Sequence, residues 1–206
     1  VMRHNLVRGA SSEAEMQFTD AYKQVYKGLS KYQKLTLDRV VNANRTIQID
    51  EYKKKHSHTG GMTGKTARVF LDELAVKVSE ERGITLDVAK KYVDALQQKS
   101  GQYFTVMQDQ LKQKFDAGML TKESYDAMSQ LKYEKVEFLE KLDPERTYTI
   151  GGKTISIRDS GIEGLKEGSE GLIETDSKYL MAEVINRTQA QISRNKANQS
   201  LYKFAE

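Results

Sequence analysis

The scarcity of proline is the feature that most constrains how this chain folds. Its 206 residues contain a single proline, Pro144, and neither tryptophan nor cysteine. Proline removes a backbone N–H and collides with the preceding helical turn, so a chain with so little of it can form long uninterrupted helices. We therefore expect a mainly α fold. The lack of cysteine excludes disulfides, thiolate zinc sites and cysteine nucleophiles.

The balance of apolar and charged residues refines this expectation. Hydrophobic residues make up 38% of the sequence and charged residues 30%, which is typical of helices that are thin, elongated or completed by other chains. We therefore predict an elongated helical bundle. No run approaches the roughly 18 to 20 apolar residues that cross a bilayer, so no membrane-spanning segment is expected.

Capping signals divide the chain. Residues 1–11 show no apolar periodicity and are predicted to be a tail or connector. Ser12 followed by Glu15 matches a capping box, which predicts that the first helix begins at Ser12 and that a helical region covers 12–146.

Three further residues are expected to mark helix ends inside that region. Thr85 and Thr121 each precede a helical pattern and are suited to N-capping, because a threonine hydroxyl accepts a backbone N–H. Gly118 is placed where a left-handed residue closes a helix.

The one break in the helical pattern lies at about 147–157. Apart from Ser156, the residues of Tyr148-Thr149-Ile150 and Thr154-Ile155-Ser156-Ile157 are β-branched or aromatic, and the two runs flank a Gly-Gly pair, which predicts a small β-hairpin. Together with a glycine-rich connector, this hairpin is expected to fill 147–175.

A long C-terminal helix is then predicted over 176–206, with Asp176 as its N-cap. Its apolar seam has a 4-3-4 spacing, typical of a helix that packs along another helix. The seam consists of Met181, Ile185, Thr188 and Ile192.

No motif in the sequence predicts catalysis or cofactor binding. The segment Gly60–Thr66 imitates a phosphate-binding loop, but its spacing misses by one residue and a charged helix end precedes it instead of a buried strand. His56 and His58 have no nearby third metal ligand. Glu170 and Glu174 sit in a polar segment without an aromatic sugar platform. We therefore expect no enzyme, no metal, no cofactor and no small-molecule substrate.

The final helix carries an unusual number of amide and arginine side chains. Two interpretations remain open: hydrogen bonding inside a bundle of several chains, or a face that contacts nucleic acid. The candidate interaction face consists of Asn186, Arg187, Gln189, Arg194 and Asn198.

Several strings also resemble parts of the large polyvalent proteins of tailed bacteriophages. The segments Leu37–Ile47, His58–Thr66 and Tyr103–Tyr133 carry the likeness, and the closest match is Glu183–Ile192 with Arg194-Asn195 and Ala197-Asn198. The resemblance covers about residues 30–206, in the same order.

Proteins of this kind are internal virion proteins, carried in the particle and ejected with the genome. The resemblance implies a non-catalytic structural or cargo segment in the capsid, portal or tail interior, and in the host cytoplasm after delivery. Its expected partners are other virion proteins or further copies or regions of the same protein. The alternatives are a nucleic-acid-binding accessory segment of an injected phage protein, with DNA as its partner, and a small hydrolase that uses Glu170 or Glu174.

Overall fold

The computed structural model describes residues 2–55, 64–130, 147–150, 153–156 and 176–205. Side chains are described for residues 9–52, 54–55, 64–130 and 176–200. The described chain is mainly helical and is consistent with a helical bundle. Its helices are α1 (Met2–Tyr26), α2 (Lys31–Lys55), α3 (Lys65–Arg82), α4 (Leu86–Asp116), α5 (Lys122–Ser129) and α6 (Ser177–Ala205), and its strands are β1 (Thr147–Ile150) and β2 (Lys153–Ser156).

Four of the helices enclose the main core. The apolar faces of α1, α2, α4 and α6 meet there, and α1 runs along α6. Burial of these side chains is the principal favourable term in folding. The largest completely buried side chains of this core are those of Val25, Tyr26, Leu37, Val41, Leu96, Tyr103, Leu180, Met181 and Ile185.

A second, smaller core lies between α2, α3 and α4. It contains Val40, Leu74, Val78, Ala89 and Val93. Only two residues of α3, Leu74 and Val78, are buried. This helix therefore packs on the side of the bundle rather than through its centre.

The prediction for the N-terminus was wrong. Helix α1 begins at Met2, so residues 2–11 are helical rather than a tail, and Ser12 lies inside the helix instead of capping it. A capping box starts a helix only where the preceding backbone leaves the helical conformation. Nothing forces that here, because no proline precedes Ser12 and the isolated Gly9 is tolerated within a helix.

The other predicted helix ends are confirmed. Thr85 accepts the backbone N–H of Val88, and Thr121 accepts that of Ser124 at 3.2 Å. Gly118 follows α4 in the left-handed conformation, with φ +71°, where a Cβ would be strained. The long C-terminal helix is capped by Asp176, whose carboxylate accepts the backbone N–H groups of the second and third following residues at 3.0 and 3.1 Å.

The strands β1 and β2 pair in antiparallel register. Thr147 lies opposite Ser156, and Ile150 lies opposite Lys153. The two residues between the strands and the glycine-rich connector predicted before α6 lie outside the described residues. None of the described helices combines the length and the apolarity that crossing a membrane requires.

Candidate interaction site

Helix α6 is fixed at its first turn by a buried polar chain. The Asp38 carboxylate of α2 accepts both the backbone N–H of Ser177, at 3.1 Å, and the Ser177 hydroxyl, at 2.5 Å. Because the Ser177 hydroxyl donates its only proton to this carboxylate, the Tyr26 hydroxyl, 2.6 Å away, donates to Ser177 Oγ. Three helices, α1, α2 and α6, therefore meet through one hydrogen-bonded chain.

This carboxylate is held in an environment that disfavours its charge. Burial, and secondarily the nearby Asp176, raises the pKa of Asp38 from 3.8 to about 6, against the opposing effects of the Ser177 hydrogen bonds and of Lys178. Burial also raises the pKa of Tyr26 well above its usual value. Both groups connect helices, and neither lines one of the two surface openings described below.

The predicted seam of α6 is confirmed. Met181, Ile185 and Thr188 have no exposed surface, and Ile192 is 8% exposed. The surfaces that cover α6 come from the same chain, since α1, α2 and α4 all contact it. The seam therefore closes within one chain, without requiring a partner helix.

A cluster of four glutamines joins three helices farther along α6. Gln17 Oε1 accepts hydrogen bonds from the side-chain amides of Gln110, Gln113 and Gln189 at 3.0, 3.1 and 3.2 Å. Gln113 Oε1 in turn accepts from Gln189 at 2.8 Å. Gln110 and Gln189 are buried, and the side-chain amide of each donates within the cluster, although Gln110 Oε1 has no partner among the described residues. The glutamine cluster fixes how α1, α4 and α6 align.

A cleft of about 550 Å³ opens beside this cluster. Gln17, Gln113 and Gln189 form part of its wall, and its charged rim consists of Glu13, Asp116 and Lys196. Because the amides already bond to one another, the cleft offers a ligand few unpaired polar groups.

The five residues of the predicted interaction face do not all lie on one exposed surface of α6. Gln189 is buried in the glutamine cluster. Asn186 donates to the Ala182 carbonyl one turn earlier, at 2.9 Å, and Arg187 pairs with the buried Glu183. Only Arg194 and Asn198 are exposed. Of the first three, only Gln189 therefore joins α6 to other helices, while the described contacts of Asn186 and Arg187 lie within α6.

Arg194 and Asn198 form one wall of a groove between α6 and α5. This groove, of about 390 Å³, is completed by Gln191 and Asn195 of α6, Lys114 of α4, and Met119, Leu120 and Met128 of the turn and α5. We call it the α5–α6 groove.

Two contacts position the walls of the α5–α6 groove. Asn195 donates from Nδ2 to the Ala117 carbonyl at 2.9 Å, which ties α6 to the end of α4. On the other side, the Phe115 and Tyr125 rings stack at 4.6 Å and hold α5 against α4. With both walls anchored to α4, the groove is a preformed surface.

The segment that imitates a phosphate-binding loop has its anion position filled. Residues 60–63 lie outside the described residues, but the Gly64 N–H bonds to the Asp50 carboxylate, and Arg68 lies 3.5 Å from that carboxylate. The Lys54 hydrogen bond, more than any other contact, lowers the pKa of Asp50. A helix N-terminus attracts anions, and here the chain supplies its own.

No metal centre can be assembled from the described side chains, because none of their histidine, aspartate and glutamate residues form a group of three or more. The described side chains do not include those of His4, His56, His58, Glu170 and Glu174.

Sequence reasoning missed the polar chain and the glutamine cluster. The available signal for the polar chain was the position of Asp38 beside the apolar residues Val40 and Val41 on one helix. All three side chains are buried. Nothing in the spacing of Gln17, Gln110, Gln113 and Gln189 indicates that they meet.

Comparison with protein-family models, with curated proteins and with solved structures returned no match.

Proposed function

We propose that this chain is a non-catalytic structural or cargo segment of a bacteriophage virion protein. It is packaged or ejected with the genome, occupies the capsid, portal or tail interior, and reaches the host cytoplasm on delivery. It acts through protein–protein assembly contacts, in an elongated helical bundle with one small β-hairpin and a long C-terminal helix.

One observation carries this proposal beyond the resemblance itself. The closest-matching string lies on α6, where its buried residues pack the bundle while Arg194, Asn195 and Asn198 line the α5–α6 groove. A surface of apolar and amide side chains is suited to a protein partner, since interface cores combine apolar contact with a few hydrogen bonds.

The composition is also suited to passage through a narrow tail. With 38% hydrophobic residues and a single proline, the chain has a lean core and its refolding is not slowed by many X–Pro bonds.

Mass spectrometry of purified virions tests the proposal. Peptides that cover this sequence and continue beyond it are expected in virions, at constant stoichiometry relative to the portal or tail proteins. Absence from virions, with the protein present in infected or uninfected cells, would refute the virion role.

The alternative is a nucleic-acid-binding accessory segment, which the two cations of the α5–α6 groove favour. Lys114 and Arg194 line it together, and cations that neutralise phosphates release counterions. A DNA-binding titration at increasing salt separates the two functions. The assembly role predicts no DNA affinity at any salt, whereas affinity that falls steeply with salt and is lost in a Lys114→Ala, Arg194→Ala variant would establish the alternative.

A hydrolase that uses Glu170 or Glu174 is a third class. Glu170→Gln and Glu174→Gln would abolish any hydrolytic activity measured on the purified chain if these carboxylates were its catalytic groups. Activity that survives both changes excludes them.

A further inference from the structure

Three exposed residues at the start of α2 form a short strip on its surface. Lys31, Leu35 and Arg39 follow one another at spacings of four residues, and Leu35 is 54% exposed. Residues four apart lie on the same side of a helix, so one apolar side chain is flanked by two cations. We call Lys31, Leu35 and Arg39 the basic strip.

Helix α3 carries a strip of opposite charge on the side that faces away from the bundle. Asp72, Val76 and Glu80 have the same four-residue spacing and are all exposed, Val76 by 47%. Val76 follows the buried Leu74 by two positions, which places it on nearly the opposite side of the helix. We call Asp72, Val76 and Glu80 the acidic strip.

The four charged side chains of the two strips are unpaired in the part of the chain that the structure describes. None of them makes a hydrogen bond or an ion pair there. The charges beside the acidic strip cancel, because Lys77 pairs with Glu73 at 3.4 Å. Each strip therefore presents its charge to a partner of the opposite sign.

From this complementarity we infer that the basic strip of one copy docks on the acidic strip of a second copy of the chain. Leu35 packs against Val76 at the centre of the contact, and a cation meets a carboxylate at each end. This inference rests on the proposed role in assembly contacts and names both the surface and the partner.

The two strips match in length as well as in charge. The outer charges of each strip lie eight positions apart (31 to 39, and 72 to 80), which is about 12 Å at 1.5 Å per residue. Because each strip has the same charge at both ends, parallel and antiparallel helices form both ion pairs equally well. A second copy covers both strips of the chain, whereas a partner with one charged helix covers only one.

The contact is small, so the association should be weak. Each strip covers about two turns of a helix, less than a standard interface requires, and an exposed ion pair contributes up to about fivefold in affinity. We expect a dissociation constant on the order of 0.1–1 mM. Such a contact is effective where many copies are held close together, and salt should weaken it because exposed charges are screened.

Two charge-reversed variants of the full chain test the pairing in sedimentation experiments at increasing protein concentration and low salt. Lys31→Glu, Arg39→Glu leaves the chain with two acidic strips, and Asp72→Lys, Glu80→Lys leaves it with two basic strips. Loss of two ion pairs should weaken the self-association of each variant by up to about 25-fold, and repulsion should weaken it further. An equimolar mixture should regain the association of the unmodified chain, since each variant supplies the strip that the other lacks.

The matched controls reverse exposed charges of α4 instead. Lys90→Glu, Lys91→Glu and Asp94→Lys, Asp109→Lys make the same two changes in net charge at exposed positions outside the strips. Both controls should self-associate like the unmodified chain. Their behaviour separates an effect of the strips from an effect of net charge.

Introduced thiols locate the contact, because the chain contains no cysteine. In a mixture of the Leu35→Cys and Val76→Cys variants, a short bis-maleimide should form the mixed dimer in preference to either homodimer. Met16→Cys mixed with Val76→Cys is the control, since Met16 is an exposed apolar residue of α1 outside both strips. This control mixture should show no such preference.

Four results would each overturn the inference. They are an unmodified chain that stays monomeric at about 1 mM, unchanged self-association in either reversed variant, a mixture that does not regain association, and no preference for the mixed cross-linked dimer. If Lys31→Glu, Arg39→Glu lost affinity for single-stranded DNA with its self-association unchanged, nucleic acid would be the occupant of the basic strip.

These outcomes are separate from those of the virion experiment. A chain that stays monomeric loses the contact with a second copy, while peptides found in virions still support the virion role. Absence from virions removes that role, while the measured self-association remains.

Discussion

Replacing Asp38 with asparagine should make the chain relatively more stable as pH rises. The Asp38 pKa lies at about 6 in the folded chain, against an ordinary 3.8. A carboxyl group whose folded pKa is raised stabilises the fold below its unfolded pKa, and that stability is lost as pH rises through the folded pKa. The asparagine side chain has no ionisable group, so the variant does not undergo this loss.

The expected size follows from the two pKa values. A difference of about two units corresponds to about 3 kcal/mol over the whole titration. Between pH 4.5 and 7.5 the same two values leave about 2 kcal/mol, because part of the titration lies below pH 4.5. The amide oxygen of the introduced asparagine can still accept the hydrogen bonds from Ser177, so the main effect of the substitution is the removal of a buried charge.

Urea denaturation at several pH values between 4.5 and 7.5 measures this effect. The free energy of unfolding of the Asp38→Asn variant, minus that of the unmodified chain, should increase by about 2 kcal/mol across the range. Asp20→Asn is the control, since it removes an exposed aspartate charge. A difference that stays flat would mean that the Ser177 hydrogen bonds balance the effect of burial on the Asp38 pKa, and one that falls as pH rises would mean that they outweigh it. Either result would refute the reasoning.

Three further sets of substitutions test the packing. Ile185→Ala should lower the free energy of unfolding by about 2–5 kcal/mol in urea denaturation, because it empties a completely buried position. Gly101→Ala, at a helical site with nothing within 4 Å of the added Cβ, should raise the free energy of unfolding measured in urea by about 0.5–1 kcal/mol, whereas Gly118→Ala should lower it by a similar amount because φ is +71°. Gln17→Leu should lower the free energy of unfolding by about 1–3 kcal/mol, because three glutamine amides lose their shared acceptor; a neutral result in calorimetry would show that the cluster rearranges around leucine.

The features that sequence predicted are those that depend on residues close together in the chain. Thr85, Thr121 and Asp176 cap their helices by bonding backbone groups two or three residues away, and such patterns can be recognised locally. The buried 4-3-4 seam of α6 is likewise a periodicity within one helix. The start of α1 was missed because a capping sequence permits a helix start without enforcing one.

The interior polar contacts depend on distant residues and could not be predicted in this way. Asp38 and Ser177 are 139 residues apart, and Gln17 and Gln189 are 172 apart. A glutamine in the sequence is compatible with an exposed face or with a buried cluster, and only the packing of three helices distinguishes them. Val88 is the opposite case, because it is apolar and yet is 52% exposed.

The division of the α6 interaction face has a geometric cause with a functional consequence. A helix completes one turn in about 3.6 residues, so Ile185, Thr188 and Gln189 face the bundle while Arg194 and Asn198 lie on exposed surface. The same helix therefore holds the core on one side and forms a wall of the groove on the other. Because the charged groove positions do not belong to the core, substituting them should change what the chain binds while leaving the helix packed. Substitutions at Gln189 should instead change the fold, because they alter the alignment of α1, α4 and α6. A loss of assembly caused by Arg194→Glu in a chain with unchanged unfolding free energy would thus be assigned to the groove, whereas a loss caused by Gln189→Leu would be assigned to the fold.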